Sequence, residues 1–230
     1  PRKIEAVMAN ADHAIAKLTM APMPTPGRLH FAASIADAVA AAELIVEAVP
    51  ERLEVKHAVY AEIEAAAKPN AIISSSTSGI MPTDLQAGMT HPGRLLVGHP
   101  FNPVYLLPLV ELVGGKATEA DTITRAGAYF TSIGMHPLPL TKEIEAFVAD
   151  RFLEAVWREA LWLVKDGIAT TKEIDDAIRF GFGLRWAQMG LFETYRVAGG
   201  EAGMAHFIAQ FGPCLKWPWT QLMDVPELTD

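Results

Sequence analysis

Short apolar runs alternate with helix-length amphipathic segments up to about residue 140. Three of these runs, residues 44–49, 71–74 and 95–98, are almost wholly apolar. Runs of this length and composition are typical of strands in a parallel sheet that is covered on both faces. The segment from residue 51 to about residue 67 has the length of a helix and joins the first two runs. The order strand, helix, strand therefore predicts βαβ units.

Further elements complete this first part of the chain. Residues 2–20 carry apolar side chains at helical spacing, residues 29–31 are predicted as a short strand, and Ser34 is a candidate N-cap of a short helix. The remaining predicted elements are two strands and the helix between them: residues 107–113, 118–133 and 135–140.

The pattern changes near residue 141, and from residue 146 onwards its period is helical. Thr170 and Glu173 fit a capping box at the start of one helix. The other helices predicted in this part are residues 146–165, 189–197 and 201–211. We therefore predict an α/β fold, in which a Rossmann-type, mainly parallel sheet domain over residues 1–143 is followed by an all-helical domain over residues 144–230.

Composition narrows the class of protein. The chain has 230 residues, of which half are hydrophobic, so it can bury a sizeable core. Its formal net charge of −8 argues against a nucleic-acid partner, which would call for a basic surface. No apolar run approaches the ~18–20 residues that a membrane span needs. Cys214 is the single cysteine and can form neither an internal disulfide nor a zinc site alone, so cytoplasmic localisation and no metal are expected.

His99 and Glu111 are the strongest candidates for chemistry. His99 ends one apolar run, and Glu111 lies twelve positions later inside another. Each residue alone has an ordinary interpretation, because many histidines near strand ends bond a carbonyl and many strand acids face solvent. A carboxylate among apolar residues is costly unless it has a partner, and an imidazole held by a carboxylate becomes a better base. If the two strands are neighbours, the pair predicts a proton-transfer site at the carboxyl edge of the sheet.

Other polar residues near strand ends remain ambiguous from the residues alone. Ser78 follows an apolar strand but also fits an ordinary turn, and Asn102 is either a turn cap or an amide that binds a ligand. Glu51 and Lys56 are most simply a helix-start acid and a solvated lysine. Most aromatic residues of the helical part are expected in the core or a dimer interface. Trp186, predicted to lie in a loop, is a better candidate for a ligand wall that attracts a quaternary ammonium group.

Several of these segments together resemble the 3-hydroxyacyl-CoA dehydrogenase family over essentially the whole chain. They are VEAVPE at residues 46–51 with Lys56, SSSTSGI at 74–80, HPFNPV at 99–104, and Glu111. The resemblance implies an NAD-binding domain, a helical domain that forms a homodimer, and NAD as cofactor. Within the family, the segments most similar to the branch that oxidises L-carnitine are residues 103–115, 185–195 and 211–219.

The resemblance also implies roles for particular residues. His99 would be the general base, Glu111 would orient it, Ser78 would hydrogen-bond the reacting oxygen, and Asn102 would position nicotinamide and substrate. The residues implied at the NAD site are Glu51, Lys56, Ser78 and Asn102, which overturns the ordinary interpretation of the first two. The residues expected to contact a small, carnitine-like substrate are Ser78, Tyr105, Asp150, Trp186, Glu193 and Tyr195.

Two departures from the family pattern affect the expected function. Asp150 stands where the family usually has asparagine, and its charge would suit a cationic substrate better than an acyl-CoA thioester. The glycine-rich G-x-G-x-x-G turn is absent, which suggests that the first βαβ segment precedes Pro1 in a longer protein. The expected activity is NAD-dependent oxidation of L-carnitine to 3-dehydrocarnitine. The alternatives are a dehydrogenase for another 3-hydroxy acid, such as a 3-hydroxyacyl-CoA or L-gulonate, and a non-catalytic truncated relative.

Overall fold

A single sheet forms the centre of the N-terminal part of the protein in the computed structural model. The structure describes residues 27–104 and 106–213, together with Glu5, Ala6 and Ala9. Within these residues the sheet has five strands, β1 to β5 in chain order: Leu44–Glu47, Ile72–Ser75, Leu95–Pro100, Leu109–Gly114 and His136–Leu140. The strands lie side by side in the same order, and only the β3–β4 pair is antiparallel. The predicted mainly parallel sheet is therefore confirmed.

Helices flank the strands and then make up the rest of the described chain. They are α1 to α8 in chain order: Ile35–Val39, Leu53–Ala66, Pro82–Leu85, Ala120–Ser132, Ala149–Lys165, Thr171–Ala177, Gly183–Ala198 and Gly203–Phe211. Ser34 accepts a hydrogen bond from the backbone of Asp37 and so caps α1, as predicted. None of the helices in the described residues is both long enough and apolar enough to cross a membrane.

The core lies on both faces of the sheet because neighbouring strand residues point to opposite sides. Ile73, Leu95 and Val97 pack on one face with side chains of α2. Ile72 and Leu96 pack on the other face with side chains of α4. These strand residues have no solvent exposure, which explains why their runs carry almost no polar residues.

The helical part forms a second compact unit, with the division between Asp150 and Arg151. The capping box predicted at Thr170 is confirmed. The Thr170 hydroxyl accepts a hydrogen bond from the backbone N–H of Glu173, and the Glu173 carboxylate accepts one from the backbone N–H of Thr170. Helix α7 begins earlier than the predicted residue 189 and contains a kink at Gly190, which has a φ of 72°. A positive φ costs glycine little, so the kink lies at the residue best able to form it.

Two predictions outside the core have different outcomes. The predicted strand over residues 29–31 is wrong, because these residues have no regular structure and the side chains of Leu29 and Phe31 are about half exposed. Three residues without a paired neighbour cannot satisfy a strand's backbone hydrogen bonds. The predicted helix over residues 2–20 lies largely outside the described residues.

Candidate active site at the carboxyl edge of the sheet

His99 and Glu111 face each other across the one antiparallel strand pair of the described sheet. They are register partners in β3 and β4, so their side chains leave the same face at the same level. The His99 Nδ1 atom lies 2.9 Å from Glu111 Oε2. His99 is 4% exposed and Glu111 is fully buried, so little water competes for this hydrogen bond.

The second oxygen of Glu111 holds the start of helix α5. Its Oε1 atom accepts hydrogen bonds from the backbone N–H groups of Val148 and Ala149, both at 2.9 Å. The first N–H groups of a helix lack intrahelical partners, and the positive end of the helix favours a negative charge there. The Glu111 carboxylate is thus fixed by three hydrogen bonds. Because an ionised carboxylate only accepts hydrogen bonds, His99 donates to Glu111 from Nδ1, which leaves Nε2 as the ring nitrogen that faces away from this bond.

The other side of the His99 ring is shaped by aromatic side chains and one carboxylate. The ring centroid lies 5.1 Å from that of Phe101 and 5.4 Å from that of Phe147. The Asp150 Oδ2 atom is 3.7 Å from His99 Nε2, and the Asp150 side chain is 23% exposed. Ala146 and Phe147 both have positive φ values just before α5. Such strain in residues other than glycine commonly accompanies functional sites.

Ser78 and Asn102 lie in the segments that follow β2 and β3. Ser75 is the register partner of Val97 in this parallel pair, so the segment after β2 leaves the sheet at the edge where His99 lies. Both Ser78 and Asn102 are exposed, so a ligand at this edge could reach them. The predicted substrate contact Tyr105 lies outside the described residues.

Lys56 is buried in a network of polar groups rather than solvated. Its side chain is 1% exposed, and its Nζ atom lies 2.9 Å and 3.2 Å from the two oxygens of Glu47. Tyr60 and Ser75 donate hydrogen bonds of 2.6 Å and 2.7 Å to the same carboxylate. Burial alone would raise the pKa of the Glu47 carboxyl, but the hydrogen bonds that it accepts, led by that from Tyr60, outweigh burial and hold this pKa below its ordinary value.

Glu51 connects this network to the surface. One of its oxygens accepts a hydrogen bond from the Thr77 hydroxyl, and the other lies 3.2 Å from Lys56 Nζ. Partial burial acts to raise the pKa of Glu51, but the hydrogen bonds from Thr77 and Lys56 lower it overall. The Glu51 side chain is 47% exposed, so it presents a held carboxylate to solvent.

Three predicted substrate residues lie in the helical unit. Trp186 is in the first turn of α7 rather than in the predicted loop, and its ring lies 4.7 Å from that of Phe182. The glycine in GLRW suggested a loop, but Gly183 has ordinary helical φ and ψ angles of −61° and −41°, so the helix includes it. Glu193 is exposed and lies 3.7 Å from Arg196. Tyr195 stacks on Phe207 with centroids 4.6 Å apart.

Sequence reasoning missed Glu47, Thr77 and Phe147. Glu47 had a usable signal, because it is an acid in an apolar run, the same argument that singled out Glu111. Thr77 and Phe147 have no comparable local signal, since their roles depend on contacts with residues distant in sequence. Over the part of the chain that the structure describes, no group of three or more His, Cys, Asp or Glu side chains could hold a metal ion.

Two family models match the chain almost end to end. Residues 2–144 match the NAD binding domain of 3-hydroxyacyl-CoA dehydrogenase, and residues 147–224 match its C-terminal domain. The chain is 64% identical over 230 residues to an L-carnitine dehydrogenase of Mesorhizobium japonicum, covering 100% of this chain and 63% of that protein. It is 62% identical over 229 residues to an L-carnitine dehydrogenase/betainyl-CoA thioesterase of Agrobacterium fabrum, covering 100% of this chain and 46% of the relative. The chain thus spans about half to two thirds of the length of these relatives.

Solved structures give the same fold. An NAD+-dependent dehydrogenase of 5-formyl-3-hydroxy-2-methylpyridine 4-carboxylic acid aligns with a TM-score of 0.82 at 28% identity, covering 100% of this chain and 71% of that one. An (S)-3-hydroxybutyryl-CoA dehydrogenase from Ralstonia eutropha aligns with a TM-score of 0.60 at 28% identity, covering 79% of this chain and 61% of that one. Both are dehydrogenases, although their substrates differ.

Proposed function

Since the chain belongs to the 3-hydroxyacyl-CoA dehydrogenase family, we propose that its protein oxidises L-carnitine to 3-dehydrocarnitine with NAD. The observation that carries the proposal is the buried His99–Glu111 hydrogen bond, with Asp150 facing the other ring nitrogen. In this arrangement His99 can accept a hydroxyl proton, and the neighbouring Asp150 carboxylate can attract a cationic group of the substrate.

The groups at the carboxyl edge of the sheet fit the nicotinamide end of a dinucleotide. The exposed Glu51 carboxylate accepts hydrogen bonds, as the hydroxyl groups of a ribose require. The exposed Asn102 amide can both donate to and accept from a carboxamide. Bound NAD would supply the acceptor for the hydride that leaves the carbinol carbon. We assign Glu51, Ser78 and Asn102 to this part of the site.

His99 takes the proton that must leave when the alcohol becomes a ketone. As the carbinol C–H hydrogen leaves as hydride, with both electrons of its bond, the O–H bond gives its proton to His99 Nε2. The electron pair of the broken O–H bond then forms the second bond of the C=O group. Glu111 holds the Nδ1 hydrogen and stabilises the positive charge that the ring gains. Ser78 is assigned a hydrogen bond to the substrate oxygen.

Asp150 supports a cationic substrate. In carnitine only two carbon atoms separate the hydroxyl oxygen from the quaternary nitrogen. The Asp150 carboxylate lies 3.7 Å from His99 Nε2. With the hydroxyl group of carnitine at Nε2, the trimethylammonium group would therefore lie close to this carboxylate. A partly exposed charge pair of this kind contributes about 1–2 kcal/mol, or roughly 5- to 30-fold in affinity. We propose further substrate contacts from Tyr105, Trp186, Glu193 and Tyr195.

The test is NADH formation by the full-length protein with a panel of 3-hydroxy acids. We expect L-carnitine to give the highest kcat/KM. Asp150→Asn should raise the KM for carnitine roughly tenfold and leave the KM for NAD unchanged. It should not lower kcat/KM for 3-hydroxybutyrate, the matched substrate without the ammonium group. An unchanged KM for carnitine would remove the role of Asp150, and turnover of acyl-CoA substrates alone would overturn the proposal.

We also propose a cytoplasmic homodimer. The helical unit exposes large apolar side chains on α5, where Phe152, Leu153 and Trp157 are each more than half exposed. Apolar residues clustered on one helix are typical of a surface that another protein covers. Sedimentation of the full-length protein should give twice the mass of one chain, and a monomer across the micromolar range would contradict this proposal.

A further inference from the structure

Two consecutive residues just before α5, Ala146 and Phe147, have left-handed backbone angles. Their φ values are 57° and 48°, in a region that residues other than glycine rarely adopt. Such a conformation is strained, and it persists only where the surrounding structure fixes it. The contacts of residues 147–149 identify what fixes this turn.

The Phe147 side chain lies on the face of the sheet that carries His99. It is fully buried and packs in the same apolar cluster as Val97 and Val113. Val97 precedes His99 by two residues in β3, so their side chains leave the sheet on the same face. Val113 stands in the same relation to Glu111 in β4. The Phe147 ring reaches the imidazole on this face, with centroids 5.4 Å apart and planes inclined at 49°.

The same turn supplies the backbone donors of the Glu111 carboxylate. The backbone nitrogens of Val148 and Ala149 both lie 2.9 Å from Glu111 Oε1. Three consecutive residues therefore contact both members of the His99–Glu111 pair, Phe147 by its ring and the next two by their N–H groups. Because φ sets the direction in which the chain continues, a relaxed turn would lose either the ring contact or the two hydrogen bonds.

The imidazole of His99 needs contacts on its ring to keep one orientation. Its hydrogen bond to Glu111 restrains only Nδ1, and rotation of the ring about that bond would turn Nε2 away from a substrate hydroxyl. The Phe101 ring makes a second contact at 5.1 Å, but Phe101 is partly exposed, whereas Phe147 cannot move without opening the core. An apolar ring also offers no acceptor that would compete with Glu111 for the Nδ1 hydrogen.

We propose that Phe147 is a positioning residue, which keeps the His99 ring in the orientation that directs Nε2 at the hydroxyl group of the substrate. Burial of the phenyl ring offsets the strain of the turn. This inference rests on the proposed function, because Phe147 acts only through His99 as base. A catalytic group displaced by ~1 Å can cost about 10²-fold in rate, so a partly loosened ring should cost about tenfold.

The test is Phe147→Leu in the full-length protein, with carnitine oxidation followed by NADH formation. Leucine keeps the space apolar but presents no flat ring to His99. The kcat should fall about tenfold, while the KM for carnitine and the dissociation constant of NADH stay within about twofold of wild type. The solvent deuterium isotope effect on kcat should rise, because proton transfer to a loosely held base is slower. In an H99Q background, F147L should lower the residual kcat less than about twofold, since no base is left to orient.

A matched control is Phe130, which is 5% exposed and packs in the core on the opposite face of the sheet. F130L makes the same replacement in a buried position, so it should lower the melting temperature about as much as F147L. Its kcat and its solvent isotope effect should stay as in wild type. A loss of activity that merely followed stability would appear in both variants.

Two results would overturn the proposal. An equal loss of kcat in F147L and F130L would make Phe147 a core residue only, and an equal loss in F147L with and without His99 would mean that Phe147 acts by another route. If F147L fails to fold, Phe147→Met repeats the test with a flexible side chain that fills irregular gaps. A wild-type protein that oxidises another 3-hydroxy acid but not carnitine refutes only the proposed function, and the same variants then test Phe147 with that acid. A wild-type protein that oxidises none refutes both.

Discussion

Replacing Glu111 with glutamine would change which nitrogen of His99 carries the hydrogen. The wild-type carboxylate accepts three hydrogen bonds, one from His99 Nδ1 and two from the backbone at the start of α5. Glutamine has the same shape but only one acceptor oxygen. That oxygen can face either the two backbone donors or the histidine, and the –NH2 group faces the other.

The two orientations differ in how many donors lose their acceptor. If the –NH2 group faces Val148 and Ala149, two part-buried backbone N–H groups are left without a partner, at about 1 kcal/mol each. If it faces His99, the ring only has to accept at Nδ1 and carry its hydrogen on Nε2. The second orientation is therefore favoured by about 2 kcal/mol, or roughly 30-fold. In it, Nε2 has no lone pair for the substrate proton.

We therefore expect E111Q to lower kcat for carnitine about 30-fold from the tautomer preference alone. The loss of the carboxylate charge that stabilises the protonated ring adds to this, towards the ~10⁴-fold scale seen when an amide replaces the acid that orients a catalytic histidine. The dissociation constant of NADH and the far-ultraviolet circular dichroism should stay unchanged. The matched control is E143Q, because Glu143 also accepts from a backbone N–H at the start of a helix, that of Thr83, but is not bonded to His99. A kcat within tenfold of wild type in E111Q would refute the assignment of His99 as base.

Two further predictions concern stability. A Cβ at residue 98 would clash with the unpartnered, buried Ser74 Oγ and lie 3.2 Å from the Phe130 ring. Gly98→Ala should therefore cost about 1–3 kcal/mol in thermal unfolding, and S74A/G98A should recover most of it; no recovery would mean that the ring is the obstacle. Because the pKa of Glu47 is lowered in the folded protein, its ionised form stabilises the fold above about pH 4.5, and this contribution is lost as the pH falls through the folded-state value. Wild type should therefore lose more stability between pH 5 and pH 3 than E47Q/K56M, and parallel losses would contradict this account of the network.

The sequence by itself determined the strands and most helices of the fold. The apolar runs at residues 71–74 and 95–98 became β2 and β3 because their side chains are buried on both faces, and burial is recorded directly in the residue types. The capping box at Thr170 was equally readable, since its bonds join residues only three apart. Three-residue patterns such as 29–31 carry too little information for the same inference.

The His99–Glu111 contact was only partly determined in this way. The residue types predicted a pair on the condition that their strands are neighbours, and strand pairing depends on how the whole sheet assembles. The antiparallel register of β3 and β4 met that condition. The bonds from Val148 and Ala149 to Glu111 join residues 37 and 38 positions apart, and no local pattern foretells them.

Lys56 shows most clearly what only the tertiary structure decided. A lysine in the first turns of an amphipathic helix is normally solvated, and the residues around it give no reason to expect otherwise. It is buried because Glu47 and Ser75, from two strands, and Tyr60, from its own helix, form one hydrogen-bonded network with it. Sequence patterns record which side chains avoid water, but which buried charge meets which partner depends on contacts that only the folded chain creates.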